Sequence, residues 1–117
     1  MIEITMPRGD IRPVRFGVFE PNGKQQSDIE FTEIYVSCKR DCLDTECLFQ
    51  KTLTGGTVQR VGNGEYQFRI MPEDTNDLAF GDYDIDIEII YYDLIKETTY
   101  GKLTLTKEVT SANNEVI

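Results

Sequence analysis

The dominant period along this chain is two. In "EYQFRI" the residues Tyr66, Phe68 and Ile70 share one side, and Glu65, Gln67 and Arg69 share the other. "DYDIDIEII" repeats the pattern with Tyr83, Ile85, Ile87 and Ile89 inward, and "GKLTLTKEV" with Leu103 and Leu105 inward against Lys102, Thr104 and Thr106. "PVRFGVF" sets Val14, Phe16 and Val18 on one side, and "TVQRV" is a further short strand. "IEFTEIYVS" is ambiguous, because Phe31, Tyr35 and Ser37 compete with Ile34 and Val36 for the inward register. Alternation of this kind, rich in β-branched and aromatic residues, predicts half-buried strands. Turn signals separate them: Pro21 with Asn22-Gly23, then Gly55-Gly56, then Gly62-Asn63-Gly64. No segment carries the period of a long helix. The expectation is an all-β fold, a single antiparallel β-sandwich of about seven strands over residues 1–110, with a flexible C-terminal tail over residues 111–117. Pro13 inside a strand removes a ladder donor and belongs at an edge, a bulge or a sheet switch.

One stretch breaks the alternation. "MPEDTNDLAFG" joins two strands, and Pro72 suits the first position of a helical turn, followed by Glu73 and Asp74 at its positive end. Gly81 suits the exit from such a turn, and Leu78 and Phe80 are its apolar anchors. The strand that follows bears a carboxylate at every second position: Asp82, Asp84, Asp86 and Glu88. Asp82, Asp84 and Asp86 spell the opening of a calcium loop, but Ile87 stands where that loop needs glycine. In a strand, same-face neighbours are roughly 6.5–7 Å apart, so four such carboxylates do not surround one ion. The row is expected to be a solvated face, with Lys102, Arg69 and Lys107 across from it, and no metal or cofactor is expected.

The chain has 117 residues, one domain's worth, and its net charge of −9 falls entirely within residues 41–117. A surface of that sign repels phosphate backbones, so no nucleic-acid partner is expected; a basic protein surface would suit it. The longest apolar run, Ile89 to Tyr92, is too short to span a bilayer, and no basic-then-apolar leader opens the chain, so neither membrane insertion nor secretion is expected. Cys38, Cys42 and Cys47 are odd in number and have no histidine to complete a zinc site, which points to free thiols made in a reducing cytoplasm. The missing histidine, and the lack of a Ser or Cys beside a base or of a phosphate-cradling loop, predict a protein that is not an enzyme. Arg8-Gly9-Asp10 spells an adhesion tripeptide, but it leads directly into a strand and reads as a turn.

The corner carries a resemblance. "PEDT" followed by "GDYDI" is similar to the turn into strand F of immunoglobulin-type sandwiches, in which a tyrosine hydroxyl bonds back to the backbone. The resemblance makes Tyr83 the corner tyrosine and puts Ile85 where antibody domains carry a cysteine, so the immunoglobulin disulfide is absent. "RGD", "GEYQFRIMPEDT", "LAFGDYDIDIEI" and "YGKLTLTKEVT" together resemble phage immunoglobulin-like structural proteins and the N-terminal module of phage baseplate upper proteins. It covers most of the chain, most closely residues 64–110, and the cysteine loop departs from it. It implies a virion or prophage component made in the host cytoplasm, with other phage structural proteins as partners and homo-oligomeric assembly. Two alternatives come from other classes: a host-surface or carbohydrate-binding module using Tyr91, Tyr92 and Tyr100, and a calcium-binding β-domain.

Overall fold

The computed structural model describes residues 2–18, 31–41, 43–91 and 96–107. Eight strands and one helical turn follow in the order β1 (Ile2–Pro7), β2 (Arg12–Gly17), β3 (Phe31–Lys39), β4 (Phe49–Thr52), β5 (Val58–Gly62), β6 (Glu65–Ile70), α1 (Pro72–Thr75), β7 (Gly81–Tyr91) and β8 (Lys96–Thr106). They form two sheets, a five-stranded one ordered β1-β8-β7-β3-β4 and a three-stranded one ordered β2-β6-β5. The protein is an all-β sandwich. With β2 to β8, omitting α1, taken as strands B, C, C′, D, E, F and G, the sheets read G-F-C-C′ and B-E-D, the immunoglobulin arrangement. One feature departs from the purely antiparallel expectation: β1 runs parallel to β8, pairing Ile2 with Gly101 and Met6 with Leu105. β1 and β4 are the strands that the periodicity left unmarked.

The alternation places the core. Tyr66, Phe68 and Ile70 from β6 face Ile85, Ile87, Leu103 and Leu105 of the other sheet, all buried, and Phe16 stacks 6.0 Å from Tyr66 between ring centroids. The ambiguous β3 resolves in favour of Ile34, Val36 and Cys38, which are fully buried. A bulge between Phe31 and Glu33 sets this register. Pro13 lies on β2, an edge of the smaller sheet, where its missing N–H leaves no gap in the ladder.

The corner is built as its residues suggest. Pro72 opens α1, Asn76 N–H closes the turn on the Pro72 carbonyl at 2.9 Å, and Gly81 leaves with φ of 125°. The Tyr83 hydroxyl donates to the Ala79 carbonyl at 2.7 Å, while its ring is buried in the core. This bond ties the first core residue of β7 to the loop before it. Tyr83→Phe is expected to cost about 1 kcal/mol in chemical denaturation, the usual worth of one such bond. An unchanged midpoint would show that the bond contributes nothing.

Gly101 is a second point of constraint, because the start of β1 lies close against it. A Cβ there would meet the Ile2 carbonyl oxygen at 2.3 Å and the Ile2 Cβ at 2.7 Å. Gly101→Ala is expected to push the start of β1 off β8 and to destabilise by about 1–2 kcal/mol, the scale of modest overpacking. Faster amide exchange confined to residues 2–4 would report the displacement; unchanged exchange there would refute it.

Candidate functional site

The acidic row stands on the outer face of the five-stranded sheet, between β3 and β8. Register assigns each carboxylate its neighbours: Asp82 faces Thr104, Asp84 faces Lys102 and Lys39, Asp86 faces Tyr100 and Ser37, and Glu88 faces Thr98 and Tyr35. Among the described residues, lysines therefore stand directly opposite the row at one end only. Asp82 accepts the Thr104 hydroxyl at 2.8 Å and lies 3.8 Å from the Lys102 ammonium. Asp86 and Glu88 have no lysine or arginine directly opposite on either neighbouring strand. Partial burial pushes the Asp86 carboxyl above its ordinary value, Glu88 adds repulsion, and Lys39 pulls the other way. Of the three cations expected across from the row, Lys102 is in place. Arg69 is on β6 in the other sheet, paired with Pro13, and Lys107 lies one residue beyond β8. The reason is connectivity: β6 precedes the corner, and the corner carries the chain from one sheet to the other.

Beside this row is a shallow groove of about 330 Å³, with Ser37, Lys39, Asp84, Asp86, Tyr100 and Lys102 around it. Tyr100 is 63% exposed. Tyr91 does not join it. Tyr91 shares the parity of Tyr83 and Ile89, packs against the core, and bonds through its hydroxyl to Glu97. Tyr91 and Tyr100 thus stand on opposite faces of one sheet, and Tyr92 lies outside the described residues. Among the described residues no group of three or more Cys, Asp or Glu converges as metal ligands, and Asp82, Asp84 and Asp86 keep strand spacing along one face. Cys38 is buried, and burial pushes its thiol up to about 12, with Cys47, Asp84 and Asp74 adding repulsion, so it packs as a neutral side chain. Cys47 is exposed, and Cys42 lies outside the described residues.

The Arg8-Gly9-Asp10 turn is docked onto the corner. The Arg8 guanidinium donates to the Leu78 carbonyl at 3.1 Å and lies 4.3 Å from the Phe80 ring centroid. Gly9 N–H donates to the buried Thr75 hydroxyl at 2.9 Å. Leu78 is half-buried as an anchor should be. Phe80 is 46% exposed and holds the loop from outside, as a platform for Arg8 and not as a core residue. The tripeptide's arginine is therefore part of the architecture.

Two polar clusters escaped the sequence reading. Lys51 on β4 forms a 2.7 Å ion pair with Asp74 of α1, both side chains 11% exposed, and Asp74 also accepts Met71 N–H at 2.7 Å. Glu33 on β3 is buried and accepts the amides of Ile34, Leu53 and Thr54 together with the Thr54 hydroxyl. The only local signal was Lys51, two residues from Phe49 and so on the same side of a strand; its partner is supplied by another element.

The chain matches no protein-family model and no curated protein sequence.

Proposed function

We propose that the chain is a non-enzymatic structural component of a phage virion or prophage particle, an immunoglobulin-like module that docks on a baseplate, tail or capsid. The observation that carries this reading is the corner. The corner and the Arg8 turn lie within the segments that carry the resemblance to phage immunoglobulin-like proteins, "RGD", "GEYQFRIMPEDT", "LAFGDYDIDIEI" and "YGKLTLTKEVT". In this fold the Arg8 turn and Tyr83 both bond to the corner segment and tie it to the five-stranded sheet. A sandwich that spends Arg8, Glu33, Asp74 and Tyr83 on architecture suits a module that works through its surface. Its charged faces give it partners to meet by complementarity, and they speak for protein surfaces over nucleic acid.

The test is the composition of particles purified from the strain that encodes the chain. Mass spectrometry of gradient-purified virions is expected to find the protein at a fixed ratio to the major structural proteins. Its absence from particles, while it is abundant in the same lysate, would overturn the proposal.

A further inference from the structure

Among the described residues, the four edge strands each carry a device that discourages strand addition. β4 has four residues and points Lys51 inward, β1 ends in Pro7, β2 contains Pro13, and β5 shifts register between Arg60 and Gly62. Among the described residues, the two outer faces of the sandwich differ in the sign of their exposed charges. On the five-stranded sheet, Asp86 and Glu88 stand beside the exposed Tyr100 ring, while Lys39 and Lys102 close the other end of the groove. On the three-stranded sheet, Arg15 and Arg69 point outward, opposite in parity to the inward Val14, Phe16, Tyr66 and Phe68, with Glu65 on the same face at its far end, so the face is net basic by one charge among these three residues. Pro13 pairs with Arg69 and Arg15 with Gln67, so the two exposed arginines are diagonal neighbours about 7–8 Å apart.

A carboxylate pair next to an exposed aromatic ring has the chemistry of a guanidinium socket. The carboxylate accepts a bidentate pair of N–H bonds, and the ring receives the planar cation on its face. The groove lies on the sheet's outer face, and its volume of about 330 Å³ has room for a side chain. The chain itself carries two arginines, spaced as neighbours on a flat face, to fill it.

We propose that a second copy of this chain docks face to face, laying Arg15 and Arg69 of its three-stranded sheet against Asp86, Glu88 and Tyr100 of the five-stranded sheet. The contact is heterologous: each copy offers a basic face to one neighbour and an acidic face to the other, so the association continues as an open stack and does not close as a dimer. The proposal rests on the assembly reading above for its setting. The net charge of −9 opposes it at long range. At about 0.15 M ionic strength that repulsion is screened beyond about 8 Å while the contact pairs are not, so the association is weak in dilute solution and strengthened where copies are held together on a particle.

Sedimentation velocity across a concentration series tests it. The wild-type average mass is expected to rise with concentration. Arg15→Glu with Arg69→Glu makes both faces acidic, and Asp86→Lys with Glu88→Lys makes both basic. Each variant alone is expected to weaken association about tenfold or more, since like charges meet across the contact. An equimolar mixture of the two is expected to associate again, because the basic variant and the acidic variant now alternate. Wild type that stays monomeric, a variant that associates as wild type does, or a mixture no better than its components would each overturn the proposal. Should charge reversal prevent folding, Arg15→Gln with Arg69→Gln and Asp86→Asn with Glu88→Gln replace them. Their mixture is expected to stop at a two-chain complex, having one intact contact; longer assemblies, or none, would refute the interface. Particles that contain the protein while all these tests fail would overturn this interface and leave the assembly reading standing.

Discussion

Asp74→Ala is expected to destabilise the protein by about 3 kcal/mol, a large share of the 5–15 kcal/mol that holds a domain of this size together. Asp74 does two jobs from one carboxylate. It neutralises Lys51 at 2.7 Å and accepts the Met71 amide at the start of α1, also at 2.7 Å. Removing it leaves an ammonium that is only one-tenth exposed with its anion gone, and a broken buried pair typically costs about 3–5 kcal/mol. The residual exposure of Lys51 puts the expectation at the low end. The cost comes mostly from the stranded charge and not from the lost attraction. Adding Lys51→Met to Asp74→Ala should therefore recover stability, because an apolar side chain of similar volume suits the site better than an orphaned ammonium. Urea denaturation of the wild type, both single variants and the double variant gives the coupling energy. Additive losses would show that the two residues do not act as a pair.

The same pair marks the limit of what was legible in the sequence. Strands with one wet face announced themselves: Tyr66 to Ile70 and Tyr83 to Ile89 alternate because every second side chain meets water. β3 did not, because both its faces are covered. Ile34, Val36 and Cys38 are buried on one side, and on the other Glu33 and Ser37 are buried too, with Tyr35 half-buried. β4 was hidden for a different reason: four residues with a lysine at an inward position do not read as a hydrophobic period. The tyrosine corner was readable because everything it needs lies within about a dozen residues, from Pro72 to Tyr83. The Arg8 contact and the Asp74 pair were not, because they depend on which elements the topology brings together, and alternation carries no information about that.

This contrast bears on assembly. The acidic row looked uniform in sequence, yet the register of β7 against β3 and β8 divides it. Asp82 and Asp84 have a lysine within reach or directly opposite, and Asp86 and Glu88 face only the hydroxyl side chains of tyrosines, serine and threonine. A row of equal carboxylates would serve solubility alone. One that is compensated at one end has a direction, and a direction is what an oriented contact requires.

Glu33 is the site of the second large effect. Glu33→Ala is expected to cost about 3 kcal/mol, because it strands several donors at once. The Ile34, Leu53 and Thr54 amides lie 2.9, 2.9 and 3.0 Å from one carboxylate oxygen, and the Thr54 hydroxyl binds the other. Each donor left without a partner costs about 1–3 kcal/mol when buried, and less here because the loop after β4 is open to water and the Leu53 amide also reaches the Ile34 carbonyl. Glu33→Gln keeps an acceptor for the amides but loses the charge, so a loss of about 1 kcal/mol is expected. The charge makes the effect depend on pH. Burial by itself pushes the Glu33 carboxyl up, but the hydrogen bonds from Thr54, Ile34 and Leu53 together outweigh it and hold the group below its ordinary value of 4.5. The unfolded chain therefore binds the proton more readily than the folded one. The stabilisation is complete above the ordinary value and disappears as pH falls through the lower, folded one. The stability difference between wild type and Glu33→Gln should accordingly be constant near neutrality and shrink in acid below 4.5. A difference that stayed constant down to the acid transition would mean that the carboxylate's charge does not hold this loop. A difference that grew would reverse the sign of the linkage and rule out the hydrogen-bonded anion as its cause.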